Sequence, residues 1–311
     1  MKNVTLKFIN TLFFLLGLIY VGGSLFFANV LINRDTQTLA DSQQRMADLD
    51  YHAAALPKPE AISIEAGTVT LSGFFYDNDK NGRCAVLLLH GYTNTRYSIL
   101  PYAPLFWDRG CDLLTYDARG HGESTDAYHT YGYHEKLDGQ AAYEWLLTQT
   151  GLPEASVGIL GVSYGASTAL QMVPLLPEAA FVIADSPYQD LRTIVAHQAV
   201  EQFGAWTRPF VPGAFFIAEL RANFDADDVS PQDAVAGATT PILLIHAQAD
   251  TFTPPSHSQT IYARSNPATT ELHLTAYGTS HGRSILDDYE SYKGLVDAFL
   301  ADKVPGFGIG D

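Results

Sequence analysis

Three polar residues far apart in the chain, Ser163, Asp250 and His281, are of the types that together turn a hydroxyl into a nucleophile. Ser163 stands at the centre of Gly161-Val162-Ser163-Tyr164-Gly165. A serine hydroxyl is a weak nucleophile, and it needs a base to take its proton and a carboxylate to hold that base in the right tautomer. His281, in Gly278-Thr279-Ser280-His281-Gly282, is the candidate base, and Asp250, in His246-Ala247-Gln248-Ala249-Asp250, is the candidate acid. Attack on a carbonyl also requires two N–H groups aimed where negative charge gathers on the oxygen. The backbone amide of Tyr164, next to the nucleophile, is one candidate. The other is the amide of Tyr92, in His90-Gly91-Tyr92-Thr93-Asn94-Thr95-Arg96. Such a set would cleave an ester-like bond and needs no metal or organic cofactor. Plainer readings stand beside each choice: Ser163 as a helix cap, Asp250 as a turn residue, Asp185 as a competing acid, and His90 as an orienting residue rather than a second base.

These residues need elements that bring them together. Two alternating runs, 61–65 and 69–76, separated by Ala66-Gly67-Thr68, predict an antiparallel hairpin, with a turn at 78–82 after it. From there the pattern changes to short continuous apolar runs, as strands buried on both faces of a parallel sheet require. The runs are 85–89, 112–116, 157–160, 180–184, 242–246 and 271–275. Helical patterns lie between and after them at 98–107, 133–149, 164–176, 256–264 and 285–300. Alternating β and α predicts right-handed crossovers with helices on both faces of the sheet. Ser163 then falls on a sharp strand-to-helix turn, and Tyr92, Asp250 and His281 in loops after strands, at the carboxyl edge where open α/β sheets place their sites. One interval, 189–240, is too long for a crossover and is rich in aromatics and prolines, including Phe203, Trp206, Phe210, Phe215, Phe216 and Phe224. It predicts an inserted helical lid, the alternative being an extra surface helix pair.

The amino-terminal stretch from Phe8 to Ile32 is apolar apart from Asn10, Thr11, Ser24, Asn29 and glycines, long enough to cross about 30 Å of hydrocarbon. Lys2 and Lys7 precede it, which predicts a single-pass anchor with the amino terminus in the cytoplasm and the rest outside, although Arg34 works weakly against that orientation. A cleaved signal peptide and a buried helix are the alternatives. Residues 1–34 are read as the anchor, 35–60 as a polar stalk stopped by Pro57 and Pro59, and 61–311 as one folded domain. With 47% hydrophobic and 17% charged residues, no large part of the chain reads as disordered. A formal net charge of −16 argues against nucleic acid as a partner and against a domain that hugs anionic lipid. The expected partners are a small ester or acyl substrate and, through the anchor, the membrane. Cys84 and Cys111 each lie six residues before a loop residue that ends a predicted strand. Two buried thiols are expected; a bridge between neighbouring strands is the alternative that an exported domain would permit.

His90-Gly91, the turn Asp117-Ala118-Arg119-Gly120-His121-Gly122-Glu123-Ser124, the Gly161 to Gly165 motif, Asp250 and His281-Gly282 occur in an order and spacing that resemble the α/β-hydrolase superfamily over nearly all of 61–300. His90 to Arg96 and Asp185-Ser186-Pro187-Tyr188 resemble membrane-anchored bacterial serine hydrolases of the serine aminopeptidase-like or acylglycerol lipase-like type. The resemblance implies an α/β-hydrolase fold, a mostly parallel eight-stranded sheet under a small helical lid, and carboxylic ester cleavage through Ser163, His281 and Asp250. It leaves peptidase, thioesterase or acyltransferase chemistry on the same residues, and an inactive tethered binding protein, as alternatives. His246-Ala247 departs from the His-Gly of many relatives. The turn from Asp117 to Ser124 resembles a structural element of the family and is given no catalytic role.

Overall fold

The structure, a computed structural model, describes residues 2–49, 51–78 and 83–307. Most of the turn expected at 78–82 lies outside the described residues. Helix α1 (Lys2–Ile32) leads into α2 (Leu39–Asp48). Next come β1 (Glu60–Ala66), β2 (Val69–Tyr76) and β3 (Ala85–Leu89), then the short α3 (Pro104–Trp107) and β4 (Asp112–Tyr116). The chain continues through α4 (Glu135–Thr150), β5 (Val157–Val162), α5 (Tyr164–Met172) and β6 (Val182–Asp185). Helices α6 (Leu191–Phe203), α7 (Val211–Ala222) and α8 (Pro231–Ala234) precede β7 (Ile242–Ala247), α9 (Ser256–Arg264) and β8 (Thr270–Thr275), and α10 (Ser284–Asp287) and α11 (Tyr289–Lys303) follow. The strands form one eight-stranded sheet in the order β1-β2-β4-β3-β5-β6-β7-β8, antiparallel at β1–β2–β4 and parallel from β4 onward.

Strand periodicity divides the core. Ala85, Leu87 and Leu89 of β3 face a layer that includes Tyr143 and Leu146 of α4, Leu170 of α5 and Ile261 of α9. Val86 and Leu88 face the opposite layer, with Phe106 of α3 and Tyr292, Val296 and Phe299 of α11. Both faces are therefore buried, which is why the central strands read as unbroken apolar runs.

Two expected helices come out differently. Over 98–107 a 3-10 turn at Leu100–Tyr102 precedes α3, because Pro101 and Pro104 supply no N–H donors for a continuous helix. Over 285–300 the helix breaks at Asp288, whose carboxylate accepts from Ser291 N at 3.0 Å and restarts the chain as α11.

The expectation of two free thiols at Cys84 and Cys111 is corrected: they form a disulfide, with Cα atoms 4.6 Å apart. β3 and β4 are parallel with Ala85 opposite Asp112, so the residues just before them are neighbours, and Asp112 N donates to Cys84 O at 3.0 Å. The bridge closes a loop with a sequence separation of 27 at the strand ends farthest from Ser163. In the chain-entropy estimate such a loop stabilises the fold by about 3–4 kcal/mol.

Residues 35–49, expected to begin a stalk, lie against the domain. Thr38 and Asp41 form a capping box that starts α2, and Gln37 N donates to Thr93 O at 2.9 Å. Met46 of α2 is buried.

Candidate active site

β5 ends at Val162 and α5 begins at Tyr164, so the whole reversal falls on Ser163, whose backbone takes φ +55° and ψ −113°. A non-glycine residue held there stores of order 1–3 kcal/mol of strain and persists only where its surroundings fix it. Ser163 N donates to Asp185 O at 2.7 Å, tying the turn to the end of β6. The flanking glycines are required by contact: a Cβ on Gly161 would come within 2.3 Å of the Gly165 backbone, and one on Gly165 within 2.3 Å of Leu89 O.

The structure brings Ser163, His281 and Asp250 together. Ser163 Oγ lies 2.7 Å from His281 Nε2, and His281 Nδ1 lies 2.6 Å from Asp250 Oδ2. With Asp250 ionised, Nδ1 carries the proton and donates to the carboxylate, which leaves Nε2 free to accept from the serine hydroxyl. Burial pushes the Asp250 carboxyl up, but hydrogen bonds from His246 and His281, the charge on His281 and the Thr253 amide outweigh it and hold the group below the ordinary carboxylate range. Phe252 N and Thr253 N both donate to Asp250 Oδ1 at 2.9 Å. The competing acid is elsewhere engaged. Asp185 accepts from Tyr102 OH and Ser186 Oγ, each at 2.8 Å, and burial pushes its carboxyl up despite those bonds.

His246 is a participant that the sequence pattern did not single out. It is fully buried at the end of β7, with Nε2 3.1 Å from Asp250 Oδ2 and 2.7 Å from Thr253 O, and Nδ1 2.7 Å from Ser258 Oγ. Both neighbours of Nε2 are acceptors, so that nitrogen holds the proton and donates to the Asp250 loop. The signals in the sequence were its place four residues before Asp250, at the end of a predicted strand, and its match to the histidine of the His-Gly pair in many relatives.

His90 is structural: its Nε2 accepts from Ala118 N at 3.0 Å, and its Nδ1 donates to Gly91 O at 2.8 Å. It thereby holds the loop that carries Tyr92 beside the Ser163 turn. Among the described residues, neither the Tyr92 N–H nor the Tyr164 N–H donates to another group of the chain. The Tyr164 ring is anchored away from the site by its hydroxyl, which donates to Glu135 Oε1 at 2.8 Å. Among the described residues, no cluster of three or more His, Cys, Asp or Glu side chains is placed to hold a metal ion.

An apolar cavity of about 130 Å³ opens on Ser163. Its walls come from α6 and α7, including Ile194, Val195 and Phe215, and also from Phe27, Val30 and Leu31 of α1. Sequence reasoning read α1 as an anchor, with a signal peptide or a buried helix as alternatives, and gave it no part in the site. In the half that packs on protein, Gly23 and Ser24 lie where α1 meets Phe210 and Gly213.

A family model described as the alpha/beta hydrolase family matches residues 86–298. The uncharacterised protein YqkD of Bacillus subtilis is 30% identical over 272 residues, spanning 87% of this chain and 86% of that one. An uncharacterised protein of Mycobacterium tuberculosis is 26% identical over 84% of this chain and 88% of its own length. Among solved structures, an esterase of Pyrococcus furiosus superposes with a TM-score of 0.64 at 26% identity, covering 81% of this chain and 98% of the esterase. An acylaminoacyl peptidase of Pyrococcus horikoshii shares the fold with a TM-score of 0.62 at 17% identity, over 87% of this chain and 45% of the peptidase. With the sheet order, the serine at the β5–α5 turn and this family match together, the chain belongs to the alpha/beta hydrolase family.

Proposed function

We propose that the chain is a serine hydrolase that cleaves carboxylic esters through an acyl-enzyme intermediate. The observation that carries this is the continuous hydrogen-bond chain from Ser163 Oγ through His281 to Asp250, on a strained turn facing an apolar cavity. His281 Nε2 takes the Ser163 proton as Oγ attacks the ester carbonyl, and Asp250 stabilises the imidazolium that forms. The amides of Tyr92 and Tyr164 hold the oxyanion. His281 then returns the proton to the leaving alcohol, and a water deprotonated by the same nitrogen releases the acyl group as a carboxylate. The apolar lining suits an acyl chain better than a peptide, whose amides would lose their hydrogen bonds to water there. The esterase of Pyrococcus furiosus, matched along almost its whole length, supports the same choice. On p-nitrophenyl esters of increasing chain length beside aminoacyl p-nitroanilides, kcat/KM is expected to favour the esters by at least about a hundredfold, roughly 2.7 kcal/mol of transition-state binding. A preference for the anilides would replace esterase by peptidase.

The protein is further read as a single-pass membrane protein whose catalytic domain lies outside the cytoplasm. Thr5–Ile32 is long and apolar enough to span, and side chains from Thr5 to Gly22 are exposed throughout. The disulfide fits an oxidising compartment. The packing of Ala28, Leu31 and Ile32 into the lid core argues against cleavage of α1, because removal would strip a wall from the cavity. Protease added to intact spheroplasts is expected to digest the domain, and full protection would contradict the orientation.

A further inference from the structure

Ser163 stands between two cavities, the second more polar than the first, with Arg34, Tyr92 and Phe252 on the boundary that they share. The first is the apolar one between α1 and the lid helices α6 and α7. The second, about 520 Å³, opens on Ser163 and His281 from the other side and is lined by Arg34, Gln37, Arg45 and Asn94. Among the described residues its lining holds two arginines and no carboxylate, in a chain with 34 acidic residues against 18 Lys and Arg, while Asp41 and Asp48 line the cavity that adjoins it at Arg45 and His281. Among the described residues neither arginine is in an ion pair, a state shared with Arg208 and Arg221, whereas Arg96, Arg109, Arg119, Arg192, Arg264 and Arg283 each have a carboxylate partner. Guanidinium groups beside a nucleophile and free of a carboxylate contact can take an oxyanion on the substrate.

The apolar cavity has an equally unusual wall. From Thr5 to Gly22, α1 is exposed on all sides and extends about 27 Å, close to the thickness of bilayer hydrocarbon. Where that stretch ends the lid begins. A Cβ on Gly23 would meet the Phe210 ring at 2.4 Å, and one on Gly213 would meet Ser24 Oγ at 2.3 Å, so small residues let α1 and α7 approach closely. The Phe27 ring packs on Phe203, Trp206 and Phe210 at centroid distances of 5.3, 5.9 and 6.0 Å. Trp206 and Phe216 remain 62% exposed and Leu220 69%, so the lid carries apolar surface beside α1 at the level where α1 would leave the bilayer. Aromatic residues favour that level. The end of α1 is also tied to the loop that carries Tyr92. Leu31 O accepts from Tyr131 OH at 2.9 Å and lies 3.3 Å from Tyr92 OH, and Ile32 O accepts from His129 N at 2.9 Å.

We propose that the substrate is an ester of one long acyl chain with an alcohol that bears an anionic group, a single-chain phospholipid drawn from the leaflet at which α1 emerges. The acyl chain lies between α1 and the lid, and the anionic alcohol lies against Arg34 and Arg45. This rests on Ser163 as the nucleophile. The Ser163 Oγ–acyl bond forms, the ester C–O bond breaks, and the alcohol leaves with the proton from His281; water then restores the serine and releases the fatty acid. The net charge of −16 repels anions at a distance, so the two arginines act as a short-range filter at the site itself.

The test uses the full chain in nanodiscs, with 1-palmitoyl lysophosphatidylglycerol and 1-monopalmitoylglycerol as substrates of equal acyl chain. The expected kcat/KM ratio favours the anionic ester by at least about tenfold. In an Arg34→Gln/Arg45→Gln variant the ratio falls to near one, mainly through KM. In a Val30→Trp variant the ratio of palmitoyl to acetyl p-nitrophenyl ester hydrolysis falls by at least about tenfold. Equal rates on the two wild-type substrates, or an unchanged chain-length ratio in Val30→Trp, overturn the proposal. Fluorophosphonate labelling of the wild-type serine separates this from a deeper failure: labelled protein with no anionic preference loses the substrate class alone, whereas unlabelled protein loses the nucleophile as well.

Discussion

Replacing Ser163 with alanine is expected to lower kcat on a p-nitrophenyl ester by about 10⁴- to 10⁶-fold and to abolish covalent labelling by a fluorophosphonate. The size of the loss follows from what the hydroxyl does. In the proposed mechanism its oxygen forms the bond that divides one difficult hydrolysis into two easier steps, and its hydrogen bond to His281 Nε2 at 2.7 Å would carry its proton out in the first and back in the second. His281→Ala should cost a similar factor, and the double variant little more than either alone, because each group is useless without the other. Residual turnover should remain above the rate in water, since the Tyr92 and Tyr164 amides and the apolar cavity survive both substitutions. Unfolding is not the expected cause. Ser163 holds a strained backbone, and alanine at φ +55° keeps the same strain and loses only the hydroxyl. Labelling that persists in Ser163→Ala would move the nucleophile elsewhere in the chain.

The parts of this site that the sequence makes legible are those governed by short-range rules. The five-residue motif around Ser163 announces a turn that only small neighbours can accommodate, and the continuous apolar runs announce strands buried on both faces. Asp250 and His281 follow because each stands just after such a run. What stays hidden depends on contacts between distant segments. Whether Cys84 and Cys111 meet is decided by the register of β3 on β4, which no spacing within either strand specifies. The wall that α1 gives the cavity is hidden for another reason: an apolar helix reads alike whether it faces lipid or protein. Small and polar residues interrupt both halves, Asn10, Thr11 and Gly17 as well as Gly23 and Ser24, and the meaning of the last two depends on Phe210 and α7 lying opposite. His246 is overlooked because a histidine ending a buried strand is most simply a core residue, and its contacts are with Asp250, Thr253 and Ser258 rather than with Ser163 or His281.

Asp250→Asn is the second large effect, an expected fall in kcat of about 10³- to 10⁴-fold with little change in KM. Asp250 occupies a position in which an amide can be held one way only. The N–H groups of Phe252 and Thr253 both point at Oδ1, so an asparagine keeps its carbonyl oxygen there and turns its NH₂ toward His281 Nδ1. A donor facing Nδ1 forces the imidazole proton onto Nε2, the atom that has to accept the proton of Ser163. The base is then present, correctly placed and in the wrong tautomer. The same NH₂ confronts the Nε2–H of His246, so a modest loss of stability accompanies the loss of rate. Their dependence on pH separates the two. The Asp250 carboxyl is held below its ordinary value in the fold, so the stability that its ionised form contributes is present above about pH 4 and fades as pH falls through the folded value. The asparagine variant therefore loses part of the acid dependence of unfolding, while its kcat defect persists at neutral pH where the fold is intact. A variant that keeps kcat within tenfold of the wild type at neutral pH would remove Asp250 from the orienting role. Asp185 could take that role only by giving up Tyr102 and Ser186, the groups that now hold its carboxylate away from His281.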